Sequence, residues 1–321
     1  GPHHRAQDAP RPRFILRLMN KKVVVVTGGA GFIGSHLTEA LLARGHEVRV
    51  VDNLVAGKRA QVPEGAVFFE TDVRDYNALA PIFSGAHIIF HLAALPRVEY
   101  TIQHPIESHE VNVTGTLNVL TVARDARVGR VVLASSAAIY GDCDTMPLTE
   151  EFLPVPLSPY ALHKYICECY MALYSKLYGL GTVSLRFFNV YGPCLDPEGP
   201  YALVIGKFLK LRKEKRPLII TGDGKQTRDF VHVRDIVAAL VAAAKSEKVG
   251  KGEVINIGTG RGTSVNELAD LFGGEKVYVP ARIEPRASRA DIRKASKLLR
   301  WEPSVPLADG IAELQKGFHI Q

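Results

Sequence analysis

The chain has 321 residues, of which 46% are hydrophobic, and its formal net charge is +7. This length fits one large α/β unit or two interlocked domains, and no apolar run reaches the roughly 20 residues that a membrane helix needs. The densest basic run, residues 207–216, has apolar residues at helical spacing, so it indicates a solvated helix face rather than a nucleic-acid patch. We therefore expect neither a membrane anchor nor a nucleic-acid partner.

The first strand is preceded by a segment rich in proline and arginine. Residues 1–18 have no regular period and lack the apolar core and cleavage site of a signal peptide. We interpret them as a leader, a tag or a disordered tail. Their four arginines and one aspartate leave a charge of about +4 for the rest of the chain.

Short apolar runs then alternate with helical segments, a pattern typical of a doubly wound parallel sheet of the Rossmann kind in an α/β protein. The glycine-rich turn after the first strand leads into the first helix. Strands are predicted at 22–27, 47–51, 66–70, 87–91, 130–134 and 182–186, and helices at 35–44, 111–125 and 159–178.

The pattern changes after residue 186, where loops rich in Pro and Gly separate short elements. Residues 254–257 (VINI) resemble a strand that returns to the sheet. We therefore expect two domains interleaved in sequence. Residues 19–186 plus about 226–262 form the first, and about 187–225 plus 263–321 form a smaller second one.

The turn after the first strand has the glycine spacing of a dinucleotide site. Gly28, Gly31 and Gly34 in TGGAGFIG allow a tight turn and close approach of the backbone to a pyrophosphate. Phe32 and Ile33 open the following helix, whose free N–H groups point at the phosphates. The position between a strand and a helix supports the prediction.

An acidic residue ends the second strand, 18 residues after the last glycine of the turn. A carboxylate at Asp52, with Asn53 beside it, accepts hydrogen bonds from the adenosine ribose and repels a 2′-phosphate, which favours NAD over NADP. Asp72 and Val73 follow the third strand, where an adenine could be met, although Asp72 could also cap a helix. The small residues Ala93 and Ala94 follow the fourth strand, where a cofactor could lie against the backbone.

Ser158 and Pro159 are typical of the start of a helix, as N-cap and first helical residue. Tyr160 and Lys164 are then neighbours on one helix face. An adjacent ammonium and a positively charged nicotinamide would both lower the tyrosine pKa and make the pair a general base. The alternative is an ordinary surface pair. Ser135-Ser136 at the end of the fifth strand favours the catalytic interpretation.

Taken together, these segments resemble the extended short-chain dehydrogenase/reductase superfamily, in particular nucleotide-sugar epimerases of the UDP-galactose 4-epimerase type. The resemblance covers essentially all of residues 20–321. It rests on TGGAGFIGSHL, DNL, TDVRD, HLAAL, VNVTGT, SSAAIYG, SPYALHK, RFFNVYGP, GDGKQTRDFVHVRD, INIG and ADIRKASKLLRWEP.

The resemblance assigns roles to individual residues. Ser136, Tyr160 and Lys164 are its catalytic serine, tyrosine and lysine, and Lys164 also binds the nicotinamide ribose. Asn112 occupies the position that supports the active-site helix, within the cofactor site. The residues implied to bind a UDP-sugar are Ser136, Asn189, Tyr201, Val204, Ile219, Thr221, Arg228, Arg282 and Ser288.

Two arginines, Arg228 and Arg282, are implied to clamp the diphosphate, a role that suits forked, charged donors. The second domain is accordingly the nucleotide-sugar domain. The segment 282–286 is one residue shorter than the usual stretch, so Arg286 remains an alternative to Arg282. A surface ion pair is the other interpretation of either arginine.

Relatives that eliminate water or carbon dioxide carry an acid soon after the catalytic serine. Here Ala137 and Ala138 occupy that stretch, which favours 4-epimerisation with NAD regenerated in place.

In related epimerases, the residue three before the aspartate of the AD motif faces the C2 substituent of the sugar, and a tyrosine there goes with plain hexoses. Here that residue is Ser288, three before Asp291. By this resemblance the small side chain leaves room for an N-acetyl group, so both UDP-Glc/UDP-Gal and UDP-GlcNAc/UDP-GalNAc are expected substrates. The alternative is that Ser288 is simply a loop residue.

Two other functions stay open. One is an epimerase that acts on a UDP-uronic acid or another nucleotide sugar, and the other is a non-catalytic NAD-binding sensor. The four cysteines form no CxxC pair, which favours reduced thiols, a cytoplasmic location and no metal site. The resemblance also implies a homodimer that pairs the helices near 105–125 and 160–178.

Overall fold

The computed structural model describes residues 21–197, 203–281 and 285–320. The strands are β1 Val23–Thr27, β2 Glu47–Asp52, β3 Val67–Glu70, β4 Ile88–His91, β5 Arg130–Ser136, β6 Thr182–Phe187, β7 Asn189–Tyr191, β8 Leu218–Thr221, β9 Thr227–Arg228, β10 Phe230–His232, β11 Lys251–Ile257, β12 Thr263–Ser264 and β13 Lys276–Val279. The helices are α1 Phe32–Leu42, α2 Tyr76–Phe83, α3 Val98–Gln103, α4 Pro105–His109, α5 Gly115–Asp125, α6 Pro159–Tyr178, α7 Leu203–Lys213, α8 Val233–Lys245, α9 Val265–Phe272, α10 Arg293–Leu299 and α11 Leu307–Gly317.

Seven strands form one parallel sheet in the order β11-β6-β5-β4-β1-β2-β3. The inner strands are buried on both faces, which explains why β1 consists almost entirely of valine. The order reverses between β1 and β4, and in doubly wound sheets such a reversal opens a crevice at the carboxyl ends of the strands. The predicted α/β Rossmann fold is confirmed.

Helix α6 begins and ends where its sequence indicates. The Ser158 hydroxyl accepts a hydrogen bond from the Ala161 N–H, Pro159 is the first helical residue, and Gly179 ends the helix in the left-handed conformation at φ 68°. Its buried face packs on β5, β6 and β11. Among the described residues, α6 is the longest helix, and none is both long and apolar enough to cross a membrane.

The second half of the chain is built from two-stranded pairs, β7 with β10, β8 with β13, and β9 with β12. As predicted, the segment 254–257 returns to the sheet, since β11 pairs in parallel with β6. The buried Asp235 carboxylate on α8 accepts hydrogen bonds from Ser304 and Val305 and so holds the approach to α11. The proposed division into two interleaved domains remains a prediction.

Two features differ from the sequence-based expectation. The segment after β3 contains α2 despite Pro81 inside it, and its N-cap is Asp75 rather than Asp72. The predicted helix 111–125 begins with a π-helical turn, Glu110–Thr114, which leads into α5. Such turns contain one extra residue and are frequent at functional sites.

Candidate active site

One cavity of about 400 Å³ lies along the carboxyl edge of the sheet and extends to the second half of the chain. It brings together residues from the predicted cofactor, catalytic and substrate sets, which are up to 260 residues apart in sequence. The predicted residues that line it are Gly28, Gly31, Phe32, Ile33, Gly34, Asp52, Asn53, Val73, Ala93, Ala94, Ser136, Tyr160, Lys164, Asn189, Arg228 and Ser288.

The glycine-rich turn is tightly packed against the loop after β4. Gly28 has φ +73°, and a Cβ there would lie 2.7 Å from the backbone nitrogen of Ala93. A side chain at this position is therefore excluded both by conformation and by space. Gly31 caps α1 without a side-chain hydrogen bond, so no side chain competes for the first N–H groups of α1, and Phe32, Ile33 and Gly34 of this first turn line the cavity.

The acidic residue that ends β2, Asp52, is buried and held by hydrogen bonds. Asp52 accepts hydrogen bonds from the N–H groups of Ala30 (3.0 Å) and Leu54 (2.9 Å), and burial raises the pKa of its carboxyl. Each carboxylate oxygen can accept a second bond. The geometry therefore suits recognition of a ribose diol at the edge of the cavity.

Asp72 does not line the cavity. Its carboxylate accepts bonds from Arg74 and from the Asn53 amide (2.9 Å), and the Arg74 guanidinium lowers the pKa of Asp72 to about 2. Asp72 thus orients Asn53 and Arg74, which do line the cavity. Arg74 was not predicted from sequence, although it lies inside the quoted TDVRD segment.

The three candidate catalytic residues meet where β5 ends against α6. The Ser136 hydroxyl lies close enough to the Tyr160 hydroxyl to lower the Tyr160 pKa, and the Lys164 ammonium donates to the Ala134 carbonyl at 2.7 Å. The Tyr160 N–H donates to Thr101 Oγ1 (3.2 Å), which fixes the start of α6 against α3. Strand, helix and α3 together hold the tyrosine toward the cavity.

The protonation of Tyr160 differs from the sequence-based expectation. Burial raises its pKa to about 12, and the neighbouring Ser136 hydroxyl only partly opposes this. The Lys164 ammonium lies 5.8 Å from the centre of the tyrosine ring, because it is directed at the Ala134 carbonyl. In the protein alone, the lysine therefore does not produce the low pKa that the YxxxK spacing predicted.

Asn112 lies in the π-helical turn behind the cavity wall and does not line the cavity. Its side chain accepts from the Leu95 N–H (2.7 Å) and donates to the Leu95 carbonyl (3.1 Å), while Cys167 on α6 contacts its backbone carbonyl. Leu95 itself lines the cavity. Asn112 therefore connects the loop after β4 to α6, which fits the predicted support of the active-site helix.

The buried His91, the last residue of β4, connects α5 to the end of β1, just before the glycine-rich turn. Thr116 Oγ1 donates to the Asn112 carbonyl (2.6 Å), so it must accept from His91 Nε2 (2.9 Å). The other ring nitrogen, Nδ1, then accepts from Thr27 Oγ1 (2.7 Å). Burial lowers the pKa of His91 to about 3, so the ring is neutral and bridges two hydroxyl groups.

On the opposite wall, Asn189, Arg228 and Ser288 line the cavity. Arg228 belongs to the segment 227–229, and the backbone of this segment holds the other two residues. The Asp229 carbonyl accepts from the Asn189 N–H (3.0 Å), and the Thr227 carbonyl accepts from the Ser288 N–H (3.1 Å). The carboxylate of Asp229, which is fully buried, accepts four hydrogen bonds, from Thr259 (two), Gly260 and Ala290.

Several predicted substrate residues lie elsewhere. Val204, Ile219 and Thr221 do not line the cavity, although Leu203 next to Val204 does. Ile219 is 43% exposed on β8. Tyr201 and Arg282 lie outside the described residues, as do residues 1–18.

The choice between Arg282 and Arg286 as the second diphosphate arginine depends on where each side chain lies. Arg286 forms a two-bond ion pair with Asp223 (2.9 Å for each bond), and both side chains are exposed. This geometry matches the surface-pair alternative for Arg286. Arg282 lies outside the described residues, so its assignment remains a prediction.

Several further residues that line the cavity were not predicted from the sequence. Lys58, after β2, donates to Asp196 at 2.9 Å, and this bond joins two loops across the cavity. Leu95, Pro96 and Phe188 add apolar surface. The sequence could have indicated them only by their positions after β4 and β6, because apolar side chains of this kind also occur throughout protein cores.

Residues 24–258 match the model of the NAD dependent epimerase/dehydratase family. Among solved structures, the UDP-glucose 4-epimerase of Thermotoga maritima with UDP-glucose is similar, with 38% identity and a TM-score of 0.88 over 92% of this chain and 98% of that one. The UDP-N-acetylglucosamine 4-epimerase of Methanobrevibacter ruminantium M1 in complex with UDP-N-acetylmuramic acid has 34% identity and a TM-score of 0.88, over 94% and 99%.

The similarity extends to enzymes that catalyse a different reaction. UDP-glucuronic acid decarboxylase 1 of Xenopus tropicalis is 34% identical over 318 residues, which is 95% of this chain and 74% of that protein. Overall similarity therefore does not separate epimerisation from decarboxylation, and the residues around Ser136 must do so.

Proposed function

Because the chain belongs to the NAD-dependent epimerase/dehydratase family, we propose that it is a UDP-sugar 4-epimerase that uses NAD as a bound cofactor. The observation that carries this proposal is the cavity in which Ser136, Tyr160 and Lys164 face the glycine-rich turn on one side and Arg228 and Ser288 on the other. UDP-sugar 4-epimerases among its relatives support the class of reaction.

The residues fit the cofactor. The close approach of Gly28 to Ala93 leaves only backbone at this turn, so the turn and the start of α1 would hold the pyrophosphate through backbone N–H groups. Asp52 and Asn53 suit the adenosine ribose, and Asp52 disfavours a 2′-phosphate. NAD supplies, when bound, an acceptor for a hydride and a positive ring that favours the phenolate of Tyr160.

Three side chains of the protein then have separate roles in the proposed reaction. Tyr160 removes the proton from the sugar 4-hydroxyl and later returns it, which makes it the general base and acid. Ser136, whose hydroxyl lies beside that of Tyr160, orients the sugar hydroxyl. The Lys164 ammonium has three donors, so its bond to Ala134 leaves others for the nicotinamide ribose.

The wall beside Ser136 favours epimerisation over elimination. Ala137 and Ala138 line the cavity and offer no group that could move a proton at C5 or C6. A 4-keto sugar that only needs to turn and take back hydride on its other face has no such requirement. The decarboxylase and uronate alternatives predict different products, so they can be separated by experiment.

For the sugar, we propose that both plain and N-acetylated hexoses are accepted. Ser288 lines the cavity, and its backbone is fixed by Thr227 while Leu148 holds the neighbouring Arg289 and Asp291. A small side chain on this fixed segment leaves room for a C2 substituent. UDP-GlcNAc/UDP-GalNAc and UDP-Glc/UDP-Gal are therefore the proposed substrates.

The test is incubation of the purified protein with UDP-Glc, UDP-GlcNAc and UDP-glucuronic acid, with no NAD added and with products identified by NMR. Formation of UDP-Gal and UDP-GalNAc supports the proposal. A pentose product identifies a decarboxylase, turnover of the uronate alone identifies a uronate epimerase, and bound NAD without any product identifies a non-catalytic sensor.

We also infer a homodimer in the cytoplasm. Leu162, Leu173 and Leu177 lie along one face of α6 and, with Ile106 on α4, are between 44% and 76% exposed, which is typical of a surface that binds another protein. The four free cysteines suit a reducing compartment. Light scattering should show a dimer that Leu173→Glu dissociates and that the control Val277→Glu, on exposed β13, leaves intact.

A further inference from the structure

The active-site helix carries a buried carboxylate that the proposed mechanism does not use. Glu168 lies one turn after Lys164 on α6 and is 3% exposed. Its Oε1 accepts from Ser135 Oγ (2.6 Å) and from Arg186 Nε (2.9 Å), and its Oε2 accepts from Arg186 Nη2 (2.7 Å). The Arg186 side chain is 4% exposed, so both charges of the pair are buried.

The three partners join the elements that meet at the catalytic site. Ser135 precedes Ser136 at the end of β5, and Arg186 on β6 is its direct partner in the sheet. Lys164 donates to Ala134, the residue before Ser135. Helix α6 is therefore attached to β5 at two consecutive residues, immediately before the serine that must meet Tyr160.

The same ion pair also supports the residues after Ser136. The Arg186 guanidinium lies over the Tyr140 ring, 4.7 Å from its centre. The Tyr140 hydroxyl donates to Asn256 Oδ1 (2.6 Å), which fixes the 3-10 turn Ala137–Tyr140. Contacts of the pair thus restrain the chain on both sides of Ser136.

Stability alone is a weak reason for such a pair. Removing two charges from water costs as much as their attraction returns, and apolar residues of similar volume often replace a buried pair without loss. What apolar residues cannot reproduce is direction, because hydrogen bonds to a carboxylate fix angles as well as distances.

We propose that Glu168, held by Arg186 and Ser135, is a positioning residue that sets the placement of Tyr160 and Lys164 on α6 relative to Ser136 on β5. This inference rests on the proposed function. Proton transfer needs heavy atoms within hydrogen-bond reach, and a shift of about 1 Å can lower turnover about 100-fold.

The test is the double variant Glu168→Leu/Arg186→Met, which removes both charges at similar volume. It should unfold cooperatively and retain bound NAD, while kcat falls about 100-fold and KM changes less than about threefold. The matched control, Glu214→Leu/Arg216→Met, removes an exposed pair of the same types and should keep kcat. A folded, NAD-loaded double variant with the kcat of the parent would overturn the proposal.

A milder variant decides the matter if the double variant fails to fold. Ser135→Ala removes one bond of the carboxylate and leaves the ion pair. We expect kcat to fall about tenfold with NAD content unchanged, and an unchanged kcat contradicts the proposal.

If the parent turns over no UDP-sugar, the proposed function fails, and the positioning role is then measured by crystallography. The distance between Ser136 Oγ and the Tyr160 hydroxyl should increase by about 1 Å relative to the parent in the double variant, or in Ser135→Ala if the double variant does not fold. An unchanged contact refutes the positioning role independently of turnover.

Discussion

The two walls of the cavity are built in different ways. The catalytic wall stands on β5 and α6, elements of seven and 20 residues that are held by the regular hydrogen bonds of sheet and helix. The facing wall stands on β7 and β9, of three and two residues, and on the segment 285–291. One buried carboxylate, Asp229, and a few backbone bonds hold that wall in place.

This difference indicates which properties can change independently. A reaction needs atoms placed to within fractions of an ångström, and long elements provide that precision. Recognition of a sugar substituent needs mainly space, which a short pinned loop can provide and substitution can alter. We therefore expect changes on the catalytic wall to affect kcat, and changes on the facing wall to affect KM and selectivity.

Tyr160→Phe should have the largest effect. Loss of the phenolic hydroxyl removes the general base, so kcat should fall about 10³- to 10⁴-fold while NAD stays bound, measured by product NMR and by cofactor release on denaturation. Tyr165→Phe, on the same helix, is the control and should keep turnover. Comparable activity in the two variants would remove Tyr160 from the mechanism.

The buried His91 should make the catalytic side sensitive to acid. Its pKa is about 6.5 when exposed and about 3 in the fold, so the stability that its neutral form contributes is present above pH 6.5 and decreases as the pH falls below it. Between pH 6.5 and 4.5 the parent should lose about 2 kcal/mol more than His91→Gln in denaturant unfolding. Equal losses in both proteins would show that His91 does not titrate in this way.

Ser288→Tyr tests the facing wall directly. A tyrosine should fill the space for the N-acetyl group and lower kcat/KM for UDP-GalNAc about 100-fold, with UDP-Gal little affected. Ser288→Ala keeps a small residue and should retain both activities. If the tyrosine variant loses both substrates equally, the wall does not select at C2.

The smallest effect is expected for Asp229→Ala, which leaves the buried N–H groups of Gly260 and Ala290 without their acceptor. The loop that carries Ser288 should loosen and KM for UDP-sugars should rise about tenfold, with kcat and NAD content near those of the parent. Asp223→Ala removes an exposed carboxylate and is the control. A drop in kcat with KM unchanged would contradict the separation of the two walls.

The sequence predicted secondary structure best where nearby residues alone determine it. The cap at Ser158, the proline at 159 and the glycine at 179 define α6 at both ends, and the valine run of β1 is explained by burial alone. For α2, a cap at Asp72 was the sequence-based alternative, whereas the helix is capped by Asp75, three residues later.

Contacts between distant segments were harder to predict. The YxxxK spacing places Lys164 beside Tyr160, but only the position of Ala134 shows that the ammonium is directed at a carbonyl. Likewise, nothing in the chain indicates that Glu168 meets Arg186, or that Ile219 faces outward on β8. Such relations depend on how strands and helices pack, which local patterns do not contain.

The π-helical turn at Glu110–Thr114 determines whether this segment can tolerate the deletion of a residue. Each residue of a helix turns it by about 100°, so deletion of one residue here would restore a regular helix and rotate everything before it relative to α5. Asn112 would then face away from Leu95, and the loop after β4 would lose its attachment. Natural variants of this segment should therefore accept substitutions far more readily than single-residue deletions.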